Sequence, residues 1–322
     1  MSDETPTSGD ILRVASAPRR MLAFALDVLL LGVLGSVLGS LFSDGLIGLG
    51  AWGRLFGFAV AALYFALLDS RVALGGSIGK LVLGLRVVDR DGGAIPPLRA
   101  ALRFVPVGIP YFLHDAQLPA AALRMPWRAL DAAAVSGLAC AGLYLLIFNR
   151  ASRQALHDLL TACRVVHRAG TPERRPWRGH YAVCALIMLC TALAPLRAAW
   201  LDGFPLLDRA PASAIELEAA LQSQPWVASA QVRRSVALRY FGADVLAVSV
   251  RVVDRNLGAP ARFEQAARTA LLFADDADAL DMISVTLSYG YDIGIADRSV
   301  SRSQVHSVAE WRALIGPSAY VI

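Results

Sequence analysis

The sequence predicts an α-helical multi-pass membrane bundle of about five spans, followed by a C-terminal soluble α+β sandwich domain with an antiparallel sheet. Three observations predict it. Over 322 residues the mean hydropathy is +0.51 and only 18% of residues are charged, against about 25% in ordinary soluble domains. The apolar residues gather in long charge-poor runs between 19 and 200, whereas 201–322 is a mixed sequence. The arginines lie between the apolar runs instead of forming a groove-like patch, a pattern of membrane orientation and not of nucleic-acid binding.

Residues 1–18 are polar and read as a cytoplasmic tail, with no cleavable apolar core behind them. Met21 to Phe42 contains one charge, Asp27, and as a helix covers about 33 Å, enough for a bilayer core of ~30 Å. The predicted spans are 21–42, 51–69, 99–114, 130–148 and 179–200. The second reaches full length if Arg54 snorkels to the interface. The third carries Pro106 and Pro110, which kink a helix; it is counted as a span on charge. Arg19 and Arg20 precede the first span, a second basic cluster runs from Arg71 to Arg103, and a third from Arg150 to Arg178. Keeping all three in the cytoplasm requires an even number of crossings between the last two. The membrane domain is then 19–167, a basic linker and the fifth span occupy 168–200, and 201–322 lies outside the cytoplasm. Its 14 acidic residues against 11 arginines fit translocation.

Trp52, Trp127, Trp177 and Trp200 fall at predicted span ends, where an aromatic belt forms. Gly35 and Gly39, and Ala133, Gly137 and Ala141, are spaced by four, which predicts close helix–helix approach. The four cysteines include no CxxC pair, so a zinc ribbon or redox motif is excluded, and no metal or cofactor is expected.

Asp27 is the most informative residue, because a carboxylate inside a span is costly unless paired or protonated. Arg20 lies two turns earlier on the same face and can lean toward Asp27 or toward a shared partner. Two readings stay open: a structural ion pair, or a proton or cation site. Lys80 is the single lysine beside thirty arginines. The stretch Gly75-Gly76-Ser77-Ile78-Gly79-Lys80 fails the phosphate-loop pattern, since Leu74 and Leu81 occupy the required glycine and hydroxyl positions. After it, Arg86-Val87-Val88-Asp89-Arg90 is nearly repeated by Arg164-Val165-Val166-His167-Arg168, and two such β-prone runs at one membrane face can pair as a ribbon. His157 and Asp158 sit on an amphipathic turn before the second run, within reach of Arg19 or Arg20.

Together Arg-Arg before Asp27, Gly-x-x-Gly-Lys with Leu-Arg-Val-Val-Asp, and His-Asp-Leu-Leu before Arg-Val-Val resemble the RDD family of bacterial membrane proteins, over roughly 18–167. By that resemblance the family's arginine falls on Arg20 or Arg19, its first aspartate on Asp27 and its second on Asp158, and Lys80 matches a recurrent lysine. The proline-bearing third span departs from the pattern. The resemblance implies a bacterial inner-membrane location, and transport of a small ligand or ion has been suggested for the family.

Residues 201–322 fall outside the resemblance. Helices are predicted over 213–224, 262–273 and 308–314, and strand pairs over 227–240 with 244–253 and 282–289 with 292–298, the latter turning at Gly290. Asp275, Asp276, Asp278 and Asp281 lack the EF-hand glycine and glutamate and read as a solvated loop. Expected partners are the lipid bilayer, a small ion or ligand, a protein at 201–322 and a second copy of the chain; no nucleic acid is expected. Two functions follow: a transporter with proton coupling through Asp27, or a membrane-anchored assembly or sensor protein. An enzyme is disfavoured for want of a nucleophile–base pair or metal cluster.

Overall fold

A computed structural model describes residues 13–114, 130, 133–150, 152–167, 176–200, 212–235, 244–274 and 280–316. The chain divides into two compact units, Met1–Gly35 with Leu55–His114 and Ala129–Ala194, and Ser36–Arg54 with Asp115–Arg128 and Pro195–Ile322.

In the first unit β1 (Arg13–Val14) leads into α1 (Ala17–Gly48), a 32-residue helix about 48 Å long that kinks at Phe42 and whose residues from Ser36 onward count with the second unit. Helix α2 (Gly53–Leu68) follows a 3-10 turn at Gly50–Trp52. Then come the short α3 (Ile78–Val82), β2 (Arg86–Val88) and α4 (Pro97–Leu113). A π-helical turn at Ala133–Gly137 opens α5 (Leu138–Phe148), and α6 (Leu156–Thr161), β3 (Arg164–His167) and α7 (Gly179–Trp200) complete the unit.

Two helical segments are long and apolar enough to cross a membrane, Ala17–Gly48 and Gly50–Leu68, and Ala133–Phe148 and Gly179–Leu193 are shorter apolar helices. Leu22, Leu29, Val33 and Leu41 of α1 are all more than half exposed. A soluble helix places charge at such positions; here lipid is the matching solvent. The third expected span is α4, with Pro106 and Pro110 in its interior and Arg103 buried. Trp52 and Trp177 are exposed, and Trp127 lies outside the described residues.

The two Arg-Val-Val runs pair antiparallel, Arg86 opposite Val166 and Val88 opposite Arg164. A third strand, β1, adds to the other edge of β3. At two residues β1 is too short to show an alternation. The ribbon packs Val87 and Val165 with Ala23, Leu85 and Ala100. Gly137 fits against Thr191 and Met188 of α7, as the small-residue spacing predicts.

In the second unit α8 (Ala212–Gln222), β4 (Val227–Ser235), β5 (Val245–Val252), α9 (Pro260–Phe273), β6 (Met282–Asp292), β7 (Asp297–Ser307) and α10 (Val308–Ile315) form a four-stranded sheet with three helices. Val248, Val250, Ile283, Val285 and Leu287 point into one core with Leu217, Phe263 and Trp311. The Trp311 indole N–H donates to the Ile283 carbonyl at 2.9 Å.

The sheet corrects the antiparallel expectation. Its central pair, β5 and β6, is parallel, because α9 carries the chain back over one face before β6 begins, a βαβ crossover. Gly290 is not a turn. It pairs with Ser299 inside the β6–β7 hairpin at φ +145°, where a Cβ would lie 1.9 Å from the Arg298 carbonyl oxygen. The turn is at 293–296 and β7 runs on to Ser307. Within this unit Tyr291 and Ile293 pack on Leu46 and Ile47, and Arg54 pairs with Asp292 at 2.8 Å. A Cβ on Gly39 would fall 1.7 Å from the Tyr291 hydroxyl, so this glycine receives a tyrosine and not the expected second helix.

Candidate functional site

The first unit contains a continuous chain of buried charges. Asp27, in the third turn of α1, is fully buried. It accepts hydrogen bonds from Tyr64 Oη at 2.8 Å, Ser77 Oγ at 2.5 Å and the Gly79 N–H at 2.8 Å. These donors come from α2 and from the start of α3, so Asp27 joins three segments. Gly79 has to be glycine for this contact, since a Cβ would lie 2.1 Å from the Ala23 carbonyl oxygen.

Asp69, one residue past α2, is 1% exposed. It accepts from the Ser77 N–H at 2.8 Å, from Lys80 Nζ at 2.9 and 2.8 Å, and from Arg103 Nη1 at 3.1 Å. Lys80 also donates to Ser77 Oγ at 3.0 Å and stands 4.9 Å from the centre of the Phe65 ring. Arg103 then bridges to Asp158 through Nε at 3.0 Å and Nη2 at 2.7 Å. Asp158, in the first turn of α6, takes a further ion pair from Arg20 and accepts from the Ala155 N–H at 3.2 Å. Arg20 also donates to the Arg153 carbonyl. Two carboxylates, Asp69 and Asp158, thus face three cations, the third carboxylate, Asp27, joins them through Ser77, and every anion has at least two donors.

The charge states follow from this arrangement. Burial alone would raise the Asp158 pKa, but Arg20 and Arg103 reverse that and hold it well below the usual carboxylate range. Burial lowers Lys80 despite the opposing pull of Asp69. His157 lies 3.4 Å from Asp158, yet burial and the cations Arg103, Arg20 and Lys80 push it down to about 3. It is neutral at pH 7.

Next to these residues lies a cavity of about 930 Å³. Its lining includes the polar residues Arg20, Asp69, Lys80, Arg103, His157, Arg150 and Arg153 and the apolar residues Phe24, Phe65, Phe104, Val107 and Leu146. That volume lies within the range of small-molecule sites, about 300–1,000 Å³. Arg153 adopts a left-handed backbone, φ +53°, a conformation that side chains other than Gly and Asn avoid and that clusters at functional sites.

Of the residues singled out from sequence, Arg20, Lys80 and His157 line the cavity, and Asp158 is bound to Arg20. Asp27 joins the same chain of contacts through Ser77. Arg20 binds Asp158 and not Asp27. Arg19 is half-buried and makes no ion pair among the described residues. Sequence reading missed Asp69, Arg103, Ser77 and Tyr64. Arg103 did carry a signal, because an arginine inside an expected span implies a buried counter-ion.

The residues that the resemblance marked, Arg20, Asp27 and Asp158, thus lie in one network, with Arg20 and Arg103 on Asp158 and Asp27 held by Tyr64, Ser77 and Gly79. Residues 14–162 match the RDD family model. The match covers Arg20, Asp27, Lys80 and Asp158, and the C-terminal domain lies beyond it. With its apolar helices, the RDD segment makes this a membrane protein in contact with lipid. No curated protein and no solved structure matches the chain.

Proposed function

We propose that the chain is a five-span bacterial inner-membrane protein, N-terminus in the cytoplasm and residues 201–322 outside. Its RDD segment binds a small ligand at the ion network and moves it across the bilayer. The arginine-rich connectors set this orientation, and α4, α5 and α7 supply the third to fifth crossings. The observation that carries the reading is the pairing of a 930 Å³ cavity with a charge chain whose own members neutralise one another. Such a chain gives a rigid polar wall, and the remaining lining charges are free for a ligand.

Asp27 has the part of a lock in this reading. Its three donors favour a held carboxylate over one that alternately binds protons and cations. The protein acts without chemical transformation of its ligand.

The test does not require the ligand. In a background with the four cysteines replaced by serine, single cysteines at Met21 and Val107 are labelled with a membrane-impermeant maleimide, in vesicles of either orientation. Transport predicts labelling from both sides. Labelling from one side alone removes it.

A sensor reading is favoured by one specific observation, the grip of Tyr291, Ile293 and Asp292 on Gly39, Leu46, Ile47 and Arg54. A partner bound to the C-terminal domain would act on the α1–α2 turn. In that case removal of 201–322 abolishes the cellular phenotype while Arg103 and Arg153 substitutions do not.

A further inference from the structure

We propose that the cavity holds an anionic phospholipid drawn from the surrounding bilayer, with its phosphate at Arg150 and Arg153 and its acyl chain along Phe24, Phe104 and Val107. This rests on the ligand-binding reading above and specifies the ligand class. Arg20, Lys80 and Arg103 are ion-paired with Asp158 and Asp69, and Asp27 adds a third carboxylate to the network through Ser77. Arg150 and Arg153 are additional cations in the cavity lining. Arg150 makes a single 3.4 Å bond from Nε to the Ile147 carbonyl, and the Arg153 guanidinium makes no ion pair among the described residues. His157, the remaining ionisable group there, is neutral at pH 7 and adds no charge to the site. A guanidinium fork matches phosphate oxygens two at a time.

Much of the remaining lining is phenylalanine and aliphatic side chains, Phe24, Phe65, Phe104, Val107 and Leu146 among them, which offer a small hydrophilic anion nothing to bind. The ligand that fits this mixed lining has one anionic head and a hydrocarbon body, the composition of the solvent around α1. The left-handed backbone at Arg153 is supported locally: its carbonyl accepts from Arg20 and its N–H donates to the Asn149 carbonyl at 3.0 Å. The strained residue is therefore held in place by the ion network itself.

The full chain is purified in an uncharged detergent, exchanged into mixed micelles holding equal phosphatidylglycerol and phosphatidylcholine, and the retained lipid is counted by native mass spectrometry. The wild type is expected to retain phosphatidylglycerol preferentially. Each arginine near a lipid surface contributes about fivefold, so the Arg150→Gln, Arg153→Gln double variant loses about thirtyfold of that preference. Arg153→Gly relaxes the left-handed backbone while removing the charge, so its loss of preference is not a folding defect; Arg153→Lys restores part of it. Equal retention of the two lipids by the wild type, or an unchanged preference in the double variant, overturns the proposal. So does displacement of the lipid by glycerol phosphate at matched concentration, which would make the ligand a soluble phosphate. One-sided maleimide labelling with intact lipid preference would sink transport and leave this assignment standing.

Discussion

Asp158→Asn exchanges a buried anion for a neutral amide of nearly the same shape, and so isolates charge from packing. In the wild type this carboxylate receives Arg20, two bonds from Arg103 and the Ala155 N–H. The variant leaves Arg20 without an anion and Arg103 with Asp69 alone. Breaking one side of a buried ion pair costs about 3–5 kcal/mol, because the surviving charge remains desolvated. For a unit of this size each kcal/mol shifts the melting temperature by about 2–4 °C, so a drop of roughly 6–20 °C is expected. The assay is thermal unfolding of the full chain in detergent, followed by loss of the monodisperse peak on size exclusion. Arg20→Met added to Asp158→Asn should recover part of the loss, since it removes the stranded cation. A single variant melting within about 2 °C of wild type would refute the reasoning, as would strict additivity in the double-mutant cycle.

Three further outcomes follow from the same contacts. His157 is held neutral with its pKa near 3, below the unfolded value of about 6.5, so the unfolded chain takes up the proton first. The His157 contribution is then flat above pH 6.5 and falls by about 1.4 kcal/mol per pH unit between that value and about pH 3, and His157→Gln should flatten that slope in melts between pH 7 and 5. Gly79→Ala places a methyl group 2.1 Å from the Ala23 carbonyl, where backbone cannot yield. Loss of folded protein on size exclusion is expected, and normal yield would show that the α1–α3 contact is loose. Gly39→Ala collides with the Tyr291 ring, so limited proteolysis should cut the C-terminal domain faster, and Tyr291→Leu should reverse the effect.

The parts legible in the sequence are those where one element reports its own environment. The Arg-Val-Val repeat pairs as read, because β-branched residues at matched spacing carry their register with them. Asp27 and Asp158 stood out because a carboxylate in or beside an apolar run has few solvated alternatives. Asp69 did not, since a charge just past a span end also reads as an ordinary interfacial residue. The parallel β5–β6 pairing was hidden for a different reason. Alternation with period two fixes which face is buried but not strand direction, which here is set by the crossover through α9. Strand β7 gave no alternation to read because it is an edge strand, exposed along most of its length. Gly290 misled because glycine serves both turns and close backbone approach, and only the paired strand distinguishes them.

A buried ion chain is weak as a source of stability, since well-packed apolar residues of the same volume often do as well or better. What the five paired charges, together with the Asp27 carboxylate, do supply is direction. Asp27 ties α1 to α2 and α3, Asp69 ties the end of α2 to α3 and α4, and Asp158 ties α6 to α1 and α4. Apolar packing alone does not fix rotation between helices that are also solvated by lipid, because their outer and inner faces are chemically alike. Charge pairing does, and it fixes Arg103 and Arg20 in the cavity lining. Since arginine keeps its proton across the physiological range, the two further guanidiniums in that lining present positive charge at any pH the membrane meets. The anionic, amphiphilic occupant proposed above would therefore be held with an affinity that does not depend on pH through these two groups.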